Sequence, residues 1–539
     1  MTDRPGLLLT SKQAFILEDP PEGDQAQTET YLITGSATTS PLSAAAVGNA
    51  AAESPFFELL ASQTETAITI HLGLLTTLLV AVPSLPAAAI ANKCIDLYTR
   101  YVLGAFPLCH EATIRATASR FLIPLSASEN HAENRALVSL CFLADSEHER
   151  IGAFRSITLL TALCAAVSCV VPETLLPSKH IVAPLFLRAS RETLRIYEDY
   201  DLEHPDSSSL GIRHFFSSAI QSATGLYGAA FHFLNQAGLV AMKMRLYDER
   251  SLKGLDPVEE TLLRNTFWQL YVCDQTALVM KGRPVVIHEP LFETEFTVQT
   301  HSQTAVPLLL HDEYSNGIRL EESLSTGFHI ICRLWTMAAR VIRGMELLSG
   351  KKAPDAVIID MERRSDAVAR LSAVYFEVIT LSSELPATSA AGLLDDSSPN
   401  SYHRDADQHL LEILQRQRTS YLLTLYSIKA FVLNTAIHCN MPEVVGMNAE
   451  PMTLFMKQIE LANDFLHSLE SVPFVHLQTE GEHCSEKIRR IGSVLLKITH
   501  DATDEVVKTR ANQCAERLVD MLARLNSKAS DILVQQMDL

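Results

Sequence analysis

The chain has 539 residues, of which 47% are hydrophobic and 20% are charged, and its formal net charge is −19. This length exceeds one small domain and allows two or three, with enough apolar residues for a sizeable core. The net negative charge argues against a protein whose main function is to bind phosphate groups, because such proteins carry a basic face. Ten cysteines are scattered without any Cys-x-x-Cys pair, which predicts free thiols in a reducing compartment rather than a disulfide framework.

The N-terminal region lacks periodic apolar residues and contains small, polar stretches such as PPEGDQAQTET. We therefore expect residues 1–54 to form a flexible tail. Helical patterns predict a first domain over residues 55–384, and a C-terminal helical part over residues 404–539 that packs on the same domain. The segment between them, residues 385–403, is rich in small and polar residues and is predicted to be a disordered loop.

One early stretch resembles a membrane span in length. No charged residue occurs between Glu65 and Lys93, and the intervening segment is long enough to cross a bilayer. His71, several threonines and a proline pair beginning at Pro83 interrupt it, however. We therefore favour a buried helix that ends near Val82.

Apolar residues spaced for helices dominate after residue 55, and strand-like alternation is scarce, which predicts an all-α fold with an irregular multi-helix arrangement. Helices are expected at 85–102, 154–171, 184–200, 211–246, 257–281, 322–349, 355–383, 404–438, 451–470, 484–500 and 503–525. In one of the last helices, Ile488, Ile491 and Leu495 fall on one face. This spacing favours core packing over docking of a partner helix.

The segment 255–290, LDPVEETLLRNTFWQLYVCDQTALVMKGRPVVIHEP, carries a clear helix start. Asp256 suits the N-cap position, where its carboxylate accepts from free backbone N–H groups. Pro257 suits the first helical position, because its missing N–H costs nothing there. Glu259 stands where the acid of a capping box belongs.

The same helix is predicted to be buried and to end abruptly. Its second half is almost wholly apolar, Gly282 suits a left-handed C-cap, and Pro284 prevents continuation. One acid, Asp274, lies inside the apolar run, and a buried carboxylate needs a partner or a raised pKa. Arg283 and Arg264 are the predicted partners, in an ion pair that fixes the helix end rather than in a ligand site or switch.

A second pattern, CIDLYTRYVLGAFPLCHEATI, covers residues 94–114. It predicts a helix that stops before a proline turn at Phe106 and Pro107, after which the chain resumes at His110 and Glu111. The His-Glu pair has the chemistry of an acid/base couple. Its place beside a helix end favours a structural role that orients the turn.

Together these patterns resemble the fungal-specific transcription factor domain, the regulatory region usually found C-terminal to a binuclear zinc cluster. The matching positions are Phe106, Pro107, His110, Glu111, Arg264, Phe267, Trp268, Asp274, Gly282, Arg283 and Pro284. The chain departs from the family pattern at Asn265 and Gln275, where the family has arginines. It also has Leu103 and Gly104 in place of a His-Pro pair. The resemblance covers roughly residues 85–300, and weaker helical similarity continues to about residue 500.

The family's binuclear cluster needs six closely spaced thiolates, beginning with Cys-x-x-Cys, and basic residues between them that meet DNA. Here Cys164 and Cys169 have the wrong spacing and lie in an apolar stretch without basic residues. We therefore expect no zinc cluster in this chain, no metal-ligating residues and no other cofactor. DNA binding is implied by the family alone.

An enzyme on an all-helical scaffold, of the terpene synthase type, is the catalytic alternative. That chemistry needs an aspartate-rich motif on one helix facing a second motif, so that magnesium holds a diphosphate. Asp395 and Asp396 fall in a predicted loop, and Asn463 and Asp464 lack the required helical alignment with later polar residues. No nucleophile elbow, Walker loop or dinucleotide fingerprint occurs in the sequence. We expect no catalytic residues and no enzymatic activity.

The resemblance implies a transcription regulator of the fungal zinc-cluster type, in the nucleus, that controls a pathway or secondary-metabolite gene cluster without a visible DNA-binding module. Three explanations for the missing module stay open: a gene model without its first exon, genuine domain loss, or DNA contact through an unrecognised surface. The alternative function is a partner-dependent co-regulator or interaction protein without DNA binding.

The expected partners follow from the same resemblance. They are transcriptional co-regulators or a zinc-cluster partner protein, with DNA reached only indirectly or through a missing N-terminal module. A small-molecule effector is a further option, and no membrane partner is expected.

Overall fold

The computed structural model describes residues 55–125, 131–280, 285–287, 296–300, 306–310, 317–349, 361–384 and 401–525. Within these ranges the fold is all α, with sixteen α-helices and no strand, as the sequence predicts. The predicted tail over residues 1–54 lies outside the described residues, as does the predicted loop up to residue 400. Gly282, Arg283 and Pro284 also lie outside them.

The helices are numbered here in chain order. The first eight are α1 (Pro55–Ala81), α2 (Ala87–Tyr101), α3 (Glu111–Phe121), α4 (His131–Cys141), α5 (Glu147–Val170), α6 (Lys179–Glu203), α7 (Ser207–Thr224) and α8 (Tyr227–Lys243). The next eight are α9 (Pro257–Met280), α10 (Gly317–Leu348), α11 (Met361–Glu384), α12 (Ser401–His438), α13 (Pro451–Glu470), α14 (Phe474–Glu480), α15 (Glu482–Asp501) and α16 (Glu505–Leu525). Short 3-10 helices cover Glu249–Leu252 and Pro442–Val445.

Helix α5 lies at the centre of the N-terminal core. Ser146 caps it by accepting a hydrogen bond from the Glu149 backbone N–H at 3.2 Å. Its second half is rich in small apolar residues, and Leu163, Cys164 and Ala165 are fully buried. These small side chains let α2, α6 and α7 pack closely around it.

A buried charge network joins α5, α6 and α7. Asp201 is fully buried and accepts from Arg155 Nε at 2.9 Å, Arg213 Nη1 at 2.6 Å and the Ser209 hydroxyl at 2.6 Å. Helix α6 bends at Tyr197, whose φ of −129° and ψ of 17° interrupt the helix before Asp201. The network therefore fixes the bent end of α6 against its two neighbours.

The C-terminal core is built around α10 and α12, with α13 and α15 packed on α12, and α16 packed on α13 and α15. Ile488, Ile491 and Leu495 are all buried in this core, which confirms the prediction of core packing for this face. Helix α12 begins at Ser401, three residues before the predicted start at residue 404. The core contains side chains from α9 to α12 as well as from the last helices.

One helix prediction was wrong. The single helix expected at 211–246 is two helices, because Gly225 ends α7 in a left-handed conformation with φ of 67°. Its N–H donates to the Gln221 carbonyl at 2.9 Å, and α8 starts two residues later. Three short helices, α3, α4 and α14, were not predicted, because their length gives too few turns for a clear apolar period.

By length and composition alone, three helical stretches in the described ranges are long and apolar enough to cross a membrane: Ser62–Ala81, Glu147–Val170 and Leu411–His438. Each stretch contains an 18-residue apolar window, of which 33% is buried in the first stretch, 78% in the second and 67% in the third. The second and third therefore bury most of their apolar surface in the cores. The first helix ends at Ala81, close to the predicted end near Val82, but the prediction that it is buried was wrong, because only 33% of its apolar window is buried.

Candidate functional site

The start of α9 differs from the predicted capping box. Asp256 accepts from the Val258 backbone N–H at 3.0 Å, which confirms it as the N-cap. Glu259 instead accepts from the backbone N–H and hydroxyl of Ser207, at 2.8 and 2.6 Å. The capping-box prediction was wrong because the carboxylate satisfies a free N–H at the start of α7, a neighbouring helix. Burial raises the pKa of Glu259.

One face of α9 holds the family-signature residues and has an architectural role. The Arg264 guanidinium donates to Glu249 at 2.6 Å and to Glu260 at 2.8 Å. The Trp268 indole donates to the Gln299 carbonyl at 3.1 Å. The signature phenylalanine between them, at position 267, is fully buried. These contacts attach α9 to the 3-10 helix before it and to the segment after it.

Asp274 is 3% exposed and accepts from the backbone N–H groups of Val286 and Ile287, at 2.8 and 2.5 Å. The carboxylate therefore fixes the chain that follows α9, in keeping with an architectural role. The predicted partnership with Arg264 was wrong, because ten residues of helix separate the two by about 15 Å along the axis. The other predicted partner, Arg283, lies outside the described residues.

The second signature pattern forms a turn that is fixed from both sides. The Tyr98 hydroxyl donates to the Phe106 carbonyl at 2.7 Å and accepts from the Leu108 N–H at 3.0 Å. The Pro107 carbonyl accepts from the Asn265 side-chain amide at 3.5 Å. The two patterns, far apart in sequence, are therefore in direct contact.

His110 and Glu111 are engaged in structural contacts at the start of α3. His110 Nδ1 lies 2.8 Å from the Thr113 hydroxyl. Glu111 accepts from Arg115 Nε at 2.8 Å and from the Leu310 N–H at 3.0 Å. These partners orient the turn, as predicted, and leave the two side chains pointing to different neighbours.

The opposite face of α9 forms one wall of a cavity of about 750 Å³. Gln269, Cys273 and Thr276 reach it from α9, and Phe328 and Trp335 reach it from α10. The remaining walls come from α7, α8, α12, α14 and α15, together with the turn that follows α2. This volume lies within the range of pockets that hold small organic ligands.

One end of the cavity carries a buried cluster of charged side chains. Arg416 is 5% exposed, donates from Nε to the Thr479 hydroxyl at 2.9 Å, and forms an ion pair with Glu480. Burial alone would raise the pKa of Glu480. The Arg416 guanidinium and the Lys487 ammonium outweigh that effect and hold this pKa at about 2.

Lys487 is 4% exposed and lines the cavity. Its ammonium donates to the Thr424 hydroxyl at 3.1 Å and lies 5.7 Å from the centroid of the Trp335 ring. Within the part of the chain that the structure describes, no carboxylate forms an ion pair with it. Burial lowers the pKa of Lys487.

The charged residues at the rim are paired with one another. Arg489 donates to Glu486 at 2.9 Å and to the Tyr227 hydroxyl at 3.0 Å, and it lies 3.6 Å from Glu482. Arg490 donates to Glu486 at 2.7 Å. The rim thus balances two arginines with two glutamates and joins α15 to α8.

Among the described residues, no group of three or more histidine, cysteine or acidic side chains is arranged to hold a metal ion. All ten cysteines are free thiols in the fold. The arrangement is therefore that of a largely apolar chamber with charged groups at one end. A chamber of this kind has the size and lining of a small-molecule site, and the charged cluster would select the charge of the molecule held there.

The sequence contains a signal for this cavity that the prediction did not use. Gln269, Cys273 and Thr276 follow one another at helical spacing inside a buried helix. A stripe of small polar side chains on a buried helix is unusual, because core helices bury apolar groups. The charged cluster had no comparable signal, since Arg416 and Lys487 are 71 positions apart.

No protein-family model matches the chain, and a search of curated proteins finds no significant match. The family resemblance therefore rests on the signature residues of the sequence alone.

Proposed function

We propose that the chain is a transcription regulator of the fungal zinc-cluster type whose helical domain senses a small-molecule effector. It acts in the nucleus on a pathway or a secondary-metabolite gene cluster, and it is not an enzyme. The observation that carries the proposal is the 750 Å³ cavity, which has the signature helix α9 as one wall. The two signature patterns also support it, because Pro107 and Asn265 bring them into contact.

The cavity is placed where a ligand affects the whole domain. Its walls come from α7 and α8, from α9, and from α10, α12, α14 and α15, so that both halves of the helical domain line it. A ligand shifts a two-state equilibrium only by its difference in affinity for the two states. A difference of about 100-fold supplies about 2.7 kcal/mol, which is enough to change the dominant packing of such helices.

In this first function the regulator reaches DNA without a zinc-cluster partner, although the sequence itself shows no Cys-x-x-Cys and has a net charge of −19. The same observation favours the second candidate, a partner-dependent co-regulator. Chromatin occupancy separates the two. Occupancy that disappears when a zinc-cluster partner is deleted supports the co-regulator, and occupancy that persists without that partner supports the first function.

The test of the proposed function is a tethered reporter. Residues 1–539 are fused to a heterologous DNA-binding domain and assayed on activated and basal promoters that carry its site. We expect a change of about fivefold or more, because a regulator acts through recruited partners once DNA contact is supplied. The matched control is the same chain without the DNA-binding domain. Reporter levels equal to those of the DNA-binding domain alone, in both formats, would contradict the proposal.

A further inference from the structure

We infer that the cavity binds an amphipathic anion, an apolar body with a single carboxylate, and that the Lys487 ammonium binds this carboxylate. The inference rests on the proposed function, in which the same cavity is the effector site. Four observations carry it: the buried charge balance, the unused donors of Lys487, the apolar walls and the size of the chamber.

The charged groups that line the cavity have one positive charge in excess. They comprise four cations, Arg416, Lys487, Arg489 and Arg490, and three acids, Glu480, Glu482 and Glu486. The rim does not correct the imbalance, because its arginines and glutamates already pair with one another. Charges removed from water need a partner nearby, and an anionic ligand would supply it.

The Lys487 ammonium makes one hydrogen bond to the described residues. An ammonium group carries three N–H donors, and one of them is used by the Thr424 hydroxyl at 3.1 Å. The Trp335 ring, 5.7 Å away, stabilises the cation through its face but accepts no strong hydrogen bond. Glu480 is engaged by Arg416. The two remaining donors therefore suit the two oxygens of a carboxylate, and a charge-assisted bond there is stronger than a neutral one.

The rest of the chamber requires an apolar body. Its walls include Phe231, Val272, Met280, Phe328 and Ile331, which offer no charge to a ligand. An inorganic anion would meet the lysine but leave about 750 Å³ of chamber unfilled. A neutral hydrocarbon would fill the chamber but leave the buried ammonium unpaired. A molecule with both parts satisfies the whole site.

The test uses the full chain and two probes with the same apolar chain, decanoate and 1-decanol, titrated by calorimetry. The wild-type protein should bind decanoate about tenfold or more tightly than the alcohol, because only the acid pairs with the ammonium. In Lys487→Met, the decanoate affinity should fall by about tenfold or more, whereas the decanol affinity should stay within about threefold.

The matched control is Lys497→Met, a substitution at an exposed lysine on the same helix that does not line the cavity. It should bind both probes as the wild type does. Unchanged binding of decanol shows that the Lys487 variant keeps its fold, and the wild-type comparison of acid and alcohol stands without any variant. Equal affinities for the two probes, no binding of either, or full decanoate binding by Lys487→Met would each overturn the inference.

Failure of this inference and failure of the proposed function give different results. An active tethered reporter together with no preference for decanoate rejects the anionic ligand and leaves the regulator. A silent reporter together with Lys487-dependent decanoate binding rejects the regulator and leaves the binding site.

Discussion

Asp201 is the residue whose substitution tests the packing of α5, α6 and α7 most sharply. The substitution Asp201→Asn keeps the size of the side chain but removes its charge and turns one acceptor oxygen into a donor. The amide keeps one oxygen, so the acceptor is lost either for Arg213 Nη1, at 2.6 Å, or for Arg155 Nε and the Ser209 hydroxyl, at 2.9 and 2.6 Å. In both cases the two arginines lose the negative charge that they share.

The magnitude follows from the burial of the two arginines. Arg155 is 7% exposed and keeps an ion pair with Asp206 at 2.9 Å, so its loss is partly compensated. Arg213 is 0% exposed, and its Nε and Nη2 have no hydrogen-bond partner among the described residues, so no group in that part of the chain replaces the carboxylate. Breaking a buried ion pair from one side costs about 3–5 kcal/mol. At about 2.1 cal/mol/K per residue, this lowers the melting temperature by about 3–5 °C for a cooperative unit of this size.

The assay is thermal unfolding followed by circular dichroism, with Asp199→Asn as the control. Asp199 lies two residues earlier on the same helix and is exposed, so its substitution should change the melting temperature by less than about 1 °C. Equal melting temperatures for Asp201→Asn and the control would refute the reasoning that this buried carboxylate holds the three helices together.

Two further predictions concern the cores. A Cβ at Gly327 would overlap the side-chain amide of Gln417, which donates to two backbone carbonyls at 2.9 and 2.7 Å. The substitution Gly327→Ala should therefore lower the free energy of unfolding, measured in urea, by about 2–3 kcal/mol. Gly152→Ala, at a helix position with nothing within 4 Å, should instead stabilise by about 0.5–1 kcal/mol, and a similar sign for both would contradict the packing described. Burial and the nearby His483 lower the pKa of His214 to about 3 in the folded state. As the pH falls below about 6.5, the imidazole therefore binds a proton in the unfolded state but stays neutral in the folded state. The free energy of unfolding should therefore fall as the pH is lowered from about 6.5 to 3. The substitution His214→Leu should reduce this slope by up to about 1.4 kcal/mol per pH unit. An unchanged slope in urea unfolding from pH 7 to about 5 would refute this role of His214.

Long helices with a steady apolar period were predictable from the sequence. The run after Asp256 forms a helix within one residue of the predicted bounds, because many turns repeat one pattern. The Ala-rich stretch forms the second half of α5, which ends one residue before the predicted end but starts seven residues before the predicted start. The break at Gly225 was missed, since a single glycine inside an apolar pattern does not show from sequence that it adopts a left-handed conformation. Short helices were missed for the same lack of repetition.

Side-chain partners were less predictable than helices, because they depend on which segments meet. Glu259 was expected to cap its own helix, yet it reaches Ser207 on α7. Arg264 was expected beside Asp274, yet it pairs with Glu249 on the preceding 3-10 helix and with Glu260 one turn earlier on α9. The charged end of the cavity depends on α12 and α15 meeting, which no local pattern in the sequence encodes.

We propose that the cavity beside α9 controls the output of the domain. A substitution that places an aromatic ring inside the cavity tests this control most directly. Thr276 lines the chamber, whereas Thr509 is an exposed threonine on α16. In the tethered reporter, Thr276→Phe should fix the output at one level that no longer responds to added decanoate, whereas Thr509→Phe should respond as the wild type does. A Thr276→Phe protein of normal abundance that still responds as the wild type does would contradict control through this cavity.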